Sequence, residues 1–283
     1  MIGRKAVVGL SLLCALCFCA FAASSASAKG TTAGECKSAS GSKDFKDAHC
    51  DEEVAAGTGS FGHVLFEKGS AVKYTGVNDT TGTKTPWMLE GKLAGVVVTV
   101  ECTEVTSAGS VTNEEVGGVM KLKFGDIKVT ATGCTVPTQP ACTVEVPVFE
   151  TGVTDPMNLK KEAVEKTGPT GEIIKAHAEV AGSTEMGLKF APTEGTTFVT
   201  LVFSGVGCPA ALKGNKPVQG FAYGTSKGRG STEATSSSGA TLTFSKETTA
   251  SGLTFGGNTA TLVGTQTLRK EGGNPLILTT TST

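Results

Sequence analysis

Along most of this chain apolar and polar residues alternate with a period of two. Met120, Leu122 and Phe124 alternate with Lys121 and Lys123, which predicts one buried and one wet face of a strand. The phase then slips by one. Ile127, Val129 and Ala131 continue the apolar set, with Lys128 and Thr130 outward. A slip at Gly125 and Asp126 is what a β-bulge or tight turn produces. Val96, Val98, Val100 and Cys102 share a face, so Cys102 is expected in the core. Cys142, Val144, Val146 and Val148 form a similar set. Pro147 falls opposite them, and its missing N–H predicts an edge strand.

The second half follows the same pattern. Ile174, Ala176, Ala178 and Val180 oppose Lys175, His177 and Glu179. Residues 198–203 are apolar on both faces except Thr200, which predicts a central strand. Ala240, Leu242 and Phe244 alternate with Thr241 and Thr243. Residues 253–255 and 260–268 predict a closing hairpin around Gly256, Gly257 and Asn258. Only 157–166 has the pattern of a short helix. Residues 224–239 are rich in Gly, Ser and Thr and predict a mobile loop; the 279–283 tail is expected to be disordered. The strand spacing predicts an all-β fold, an antiparallel sandwich or jelly roll. A short echo between 120–134 and 199–208, both ending in Gly-Cys, suggests two similar halves.

Composition agrees. Glycine, at 38 residues, is about twice its usual ~7% share, and threonine is commoner still. Frequent Gly and β-branched residues disfavour long helices.

The first residues follow a different pattern. Arg4 and Lys5 precede an uncharged apolar run over 6–23, then Ala26-Ser27-Ala28. Basic start, apolar centre and small-residue exit predict a secretory leader over 1–28, cleaved before Lys29. The run is short for a spanning helix of about 20 residues. Cys14, Cys17 and Cys19 lie inside the leader, so their C-x-x-C spacing carries no redox meaning. The expected divisions are the leader, a disulfide-tied segment over 29–58 and a β-sandwich domain over 59–283. The mature protein is expected to be secreted or held at the cell surface, with no transmembrane segment.

Six cysteines follow the leader: Cys36, Cys50, Cys102, Cys134, Cys142 and Cys208. An even count in an exported chain predicts disulfides. Fifteen pairings are possible. Distance and phase favour Cys36 with Cys50, Cys134 with Cys142 across a short turn, and Cys102 with Cys208 as the long-range staple. Cys102 with Cys134 is the main competitor. No C-x-x-C pair remains to begin a zinc site.

Arg229 and Arg269 are the sole arginines after the leader, and the lysines are scattered among acids. Phosphate-backbone binding needs clustered Lys and Arg, so nucleic acid is not an expected partner. A cell-wall or other extracellular polymer fits better.

Several motifs carry less than their spelling suggests. Residues 57–64 spell G-x-G-x-x-G-x-V, and Lys73 follows as an ATP-contacting lysine would. No histidine precedes an arginine and no Asp-Phe-Gly occurs, so a kinase is excluded; a glycine-rich turn entering a strand is expected. A dinucleotide site would need a helix there. Residues 224–228 spell G-x-S-x-G, but no helix pattern follows as a nucleophile elbow requires. His49 sits in the acidic segment 44–53, which lacks the D-x-D-x-D-G order of a calcium loop; a solvated, disulfide-tied surface segment is expected, with a calcium site as its alternative. Trp87, after Pro86 in a Thr/Gly/Pro loop, is expected to be a partly buried core anchor; it is also the one residue offered as a candidate ligand contact. No catalytic residue set, cofactor motif or metal-ligand set is read from the chain.

Segments 198–214 and 253–280 carry Phe-Ser-Gly followed by Cys-Pro-Ala-Ala-Leu, then Leu-Thr-Phe-Gly-Gly-Asn and Gly-Asn-Pro-Leu. In these runs the chain resembles uncharacterised exported all-β proteins of high-GC Gram-positive bacteria. The resemblance implies export and no known activity, and it carries over no functional residue. The expected function is a non-catalytic extracellular or wall-associated module with a structural or binding role. The alternatives are a secreted carbohydrate-active enzyme or lectin on a jelly roll, and a calcium-dependent surface module.

Overall fold

A computed structural model describes residues 30–38, 43–48, 50, 52, 54–78, 86–179, 185–227, 240–246, 252–272 and 276–281. Residues 1–28, the expected leader, lie outside them. The described chain is nearly all strand. The first nine strands are β1 (Gly30–Ser38), β2 (Phe61–Leu65), β3 (Val72–Asn78), β4 (Trp87–Leu93), β5 (Val96–Val116), β6 (Val119–Thr135), β7 (Thr143–Glu145), β8 (Phe149–Thr167) and β9 (Ile173–Glu179). Then come β10 (Glu185–Pro192), β11 (Thr197–Ser204), β12 (Gly214–Gly220), β13 (Ala222–Lys227), β14 (Ala240–Phe244), β15 (Leu253–Phe255), β16 (Asn258–Thr259), β17 (Thr261–Lys270) and β18 (Ile277–Thr281).

The β5–β6 hairpin is the spine. Its turn is Gly117 and Gly118, at φ 63° and 80°. Two successive positive φ values are what a two-residue hairpin turn of matching twist demands, and glycine supplies them without strain. Its register shifts once, between Ala108 and Ser110, and the β6–β8 register shifts between Phe124 and Ile127. Thus the phase slip at Gly125 and Asp126 is a bulge. Leu122, Phe124 and Ile127 are all buried as a result.

The larger sheet runs β10-β13-β14-β17-β3-β5-β6-β8-β9, and β8 also pairs with β10. That second pairing brings the sheet round on itself. Beyond the end of β3, β4 takes its place between β17 and β5. The smaller sheet runs β16-β15-β12-β11-β7. It packs on the larger sheet's inner face, with Phe198 against Phe149 and Phe255 against Gly91. The result is an antiparallel all-β sandwich. Its core includes Phe203, Leu201, Val218, Leu253 and Phe255, all at most 2% exposed. Each such side chain contributes about 1.5–3 kcal/mol by burial.

A third sheet, β18-β1-β2, joins the two ends of the described chain. It is tied to the spine by side chains. Asn113, fully buried, accepts from the Ala33 N–H (2.8 Å) and donates to the Ala33 and Phe66 carbonyls (2.8 and 3.0 Å). The Leu122 N–H donates to Thr31 Oγ1 at 3.0 Å.

Four local expectations are corrected. Residues 157–166 are strand, within β8, because 156–158 pair with β10 and 163–167 with β9; tertiary pairing overrides a weak helical pattern. The tail through Thr281 is the strand β18, held by β1. The hairpin partner of β15 is only the two-residue β16, after which the chain crosses to the larger sheet as β17. The buried set after Cys142 is cut short, since β7 ends at Glu145 and Val148 is 61% exposed. Elsewhere β11 is an interior strand of its sheet and β7 an edge; of the 174–180 set, the side chains other than that of Ile174 lie outside those described. Residues 224–227 belong to β13, and the rest of the expected mobile loop lies outside the described residues.

Candidate functional site

Between the inner face of the larger sheet and the smaller sheet lies a partly open, apolar cavity of about 100 Å³. Alternation along β4 turns Trp87, Leu89 and Gly91 inward. Trp87 lies opposite Cys102, which lies opposite Cys134. The indole rests on Gly264 of β17, where a Cβ would stand 2.3 Å from ring carbon Cδ2. Only glycine permits that approach. Phe244 stacks at a tilt 5.3 Å from Trp87, Phe190 lies 5.4 Å from Phe244, and Tyr74 meets Phe124 edge-on at 5.6 Å.

Polar groups in the lining are mostly satisfied. Ser107 Oγ donates to Gln266 Oε1 (2.9 Å), Gln266 Nε2 to the Val105 carbonyl (2.9 Å), and Thr151 Oγ1 to the Ala191 carbonyl (2.7 Å). Burial pushes the Tyr74 phenol well above its ordinary value. The Trp87 indole N–H is buried and has no acceptor among the described residues. An orphaned donor of this kind costs about 1–3 kcal/mol. At about 24 cal/mol per Å³, an empty void of this size costs about 2 kcal/mol more.

Charged groups gather in two other places. Glu35, its side chain 4% exposed, meets Lys37 at 2.8 Å and Lys270 at 3.1 Å. Burial alone would raise its carboxyl; hydrogen bonds and charge from the two lysines outweigh this and hold it below its ordinary value. Glu35 therefore adds stability above the unfolded-chain pKa of about 4.3, and that share is lost as pH falls through the lower folded value. Glu35→Gln should destabilise the protein at pH 7, with the gap to the parent closing in more acidic urea melts. A gap that is constant between pH 7 and pH 3 would contradict this.

Elsewhere Glu90 and Glu172 share Lys246, at 3.1 and 3.6 Å. The Thr170 hydroxyl helps hold the Glu172 carboxyl low. A glycosidase acid needs the opposite shift.

The cysteine pairing corrects the sequence expectation. Cys36 bonds Cys50, as expected, but Cys102 bonds Cys134 and Cys142 bonds Cys208. The expected bonds of Cys134 with Cys142 and Cys102 with Cys208 are absent. The hairpin places Cys102 directly opposite Cys134. The pairing of β7 with β11 sets Thr143 opposite Ser204, which brings Cys142 beside the turn holding Cys208. Distance along the chain could not show either.

The remaining candidates are dispersed. Trp87 is 6% exposed and faces the interior cavity. Residues 57–60 make the turn entering β2, and Phe61 and Gly62 begin the strand. Ser226 is buried within strand β13, opposite Met186, where a nucleophile elbow needs an exposed turn; Gly228 lies outside the described residues. In the acidic segment Asp47 accepts the Glu52 N–H, Asp44 accepts the Gly57 N–H, and Lys46 pairs with Glu52. Its His49, Asp51 and Glu53 lie outside the described residues. His63 pairs with Cys36 in register, and His177 with Ala163.

An outer polar groove of about 470 Å³ runs beside Glu150, Glu194, Thr193, Thr197 and Thr200. Sequence reading missed it, because its walls come from β8, the end of β10 and β11. Among the described residues no helix is long and apolar enough to cross a membrane. Comparison with models of known families, with curated proteins and with solved structures finds no match, so the chain's own residues are the ground for its function.

Proposed function

We propose that this chain is exported, loses residues 1–28, and acts outside the cytoplasm or at the cell wall as a non-catalytic β-sandwich with a structural or binding role. The supporting observation is the engagement of all six cysteines after residue 28 in three disulfides, one in each region of the fold. Such bonds persist in oxidising compartments. The leader pattern points the same way. The outer groove, lined by hydroxyls and carboxylates, suits a polyhydroxylated polymer better than an apolar one.

The test is to express the full chain in a secreting Gram-positive host. Culture medium, wall and cytosol are then examined by N-terminal sequencing and by peptide mapping without reductant. Medium or wall material should begin at Lys29 and yield the three cross-linked peptide pairs. Intact leader in the cytosol with free thiols would refute the proposal.

A further inference from the structure

We infer that the outer groove takes an extended, basic peptide of a partner protein, added as a strand to the open edge of β11. In β11 Val199, Thr200 and Leu201 pair with Val218, Pro217 and Lys216 of β12. Proline has no N–H to give a ladder. Thr200 and Pro217 therefore exchange no hydrogen bonds, and alternation turns the Thr200 N–H and C=O away from β12. On that other side β7 covers only Val202, Phe203 and Ser204. Had β7 run two residues further, the register of Val202 with Glu145 would set Pro147 opposite Thr200. Pro147 has no N–H to offer either, and over 146–148 the chain leaves β11 for β8. Among the described residues no backbone hydrogen bond from outside the strand ladders reaches Thr200. Two prolines thus leave one donor and one acceptor open on the wall of a groove of about 470 Å³.

The groove lies where β7 peels away. Residues 197–200 form one wall and residues 147–150 the other. The rings of Phe149 and Phe198, 5.6 Å apart, join the two walls. A sheet edge with unmet main-chain groups accepts an extended peptide by strand addition. The hydroxyls of Thr193, Thr197 and Thr200 would serve any polar polymer; the open strand edge favours a peptide over a glycan. Charge sets the kind of peptide. Glu150 and Glu194 are the charged residues of the lining. Glu150 meets Lys128 at 3.4 Å, both exposed, and Glu194 has no ion pair among the described residues. The excess negative charge suits lysine or arginine on the incoming strand. The inference rests on the binding role proposed above, though not on export.

The full chain, isotope-labelled and with its disulfides intact, would be titrated with the acetylated, amidated hexapeptide Lys-Val-Lys-Thr-Lys-Val and followed by NMR. Amides of 197–200 should shift saturably, and exchange of the Thr200 amide should slow. The N–H groups of a strand alternate between its two edges, so N-methylation separates edge pairing from charge. One version is methylated at the three lysines, the other at the remaining three residues. One of the two should bind about tenfold more weakly, through loss of the bonds with Thr200, and the other should stay within about threefold of the unmethylated hexapeptide. Glu194→Gln, at an exposed position, should weaken the hexapeptide about threefold. Absence of saturable shifts at 197–200 overturns the inference, as do equal losses for the two methylated versions. Binding of cellohexaose in the groove without any response to the hexapeptide also overturns it and gives the binding role to a glycan. Shifts of the same amides with protein concentration alone would assign the edge to a second copy and overturn it too. The export test above is untouched by any of these results.

Discussion

Asn113→Ala is expected to cost about 3–5 kcal/mol of folding stability, a large share of what a domain possesses. Asn113 is fully buried and satisfies the Ala33 N–H and the Ala33 and Phe66 carbonyls. Alanine leaves the Ala33 N–H and the Phe66 carbonyl unmet in a dry environment, at about 1–3 kcal/mol each before relaxation, and takes from the Ala33 carbonyl one of its two donors, the Phe66 N–H remaining at 3.1 Å. The amide acts as a strand edge where β5 has none, docking the β18-β1-β2 sheet on the spine. Urea denaturation should show a lower midpoint with an unchanged slope, and amide exchange in β1 should accelerate most. A midpoint shift worth under 1 kcal/mol would mean that the third sheet is held by other contacts.

The second large effect is expected at the Cys142–Cys208 bond. It spans 66 residues, against 14 for Cys36–Cys50. In the chain-entropy model its loss costs about 4 kcal/mol, and loss of the shorter loop about 3. Replacing both cysteines by alanine suits the site, since both are buried and serine would add unmet hydroxyls. The unfolded chain, freed of a long cross-link, should expose more surface and raise the denaturant slope. If removing the 14-residue loop proves costlier than removing the 66-residue one, native packing around the sulfurs governs rather than the entropy of the unfolded chain.

The disulfides show where local reading stops. Phase correctly placed Cys102 inward, but phase says only which face a residue occupies. Its partner depends on register. From the Gly117-Gly118 turn, an unbroken ladder would set Cys102 opposite Gly133. The single shift between Ala108 and Ser110 moves the partner to Cys134. Both cues, the Gly-Gly pair and the slip at Gly125, stand in the sequence, and read together they select this bond. Nothing comparable exists for Cys142 and Cys208, whose meeting requires β7 to find β11 across the intervening residues 146–196.

The candidate site divides in the same way. Trp87 stood out by sequence as the lone tryptophan. Its inward aim follows from alternation with Leu89 and Gly91. That Gly264 lies beneath its ring is a consequence of β17 pairing beside β4, and its N–H finds no acceptor among the described residues. The helix expected over 157–166 failed for the same cause: two neighbouring strands supply hydrogen bonds that ten residues of local pattern cannot foresee.

The sequence by itself determined that strands form, which side of each is apolar, and where the bulge falls, because these depend on neighbours one or two residues away. The tertiary structure alone decided the closure of β8 on β10, the long-range disulfide, the docking by Asn113 and the cavity under Trp87. Those depend on which distant segments share hydrogen bonds, and a period of two is the same for every choice of partner.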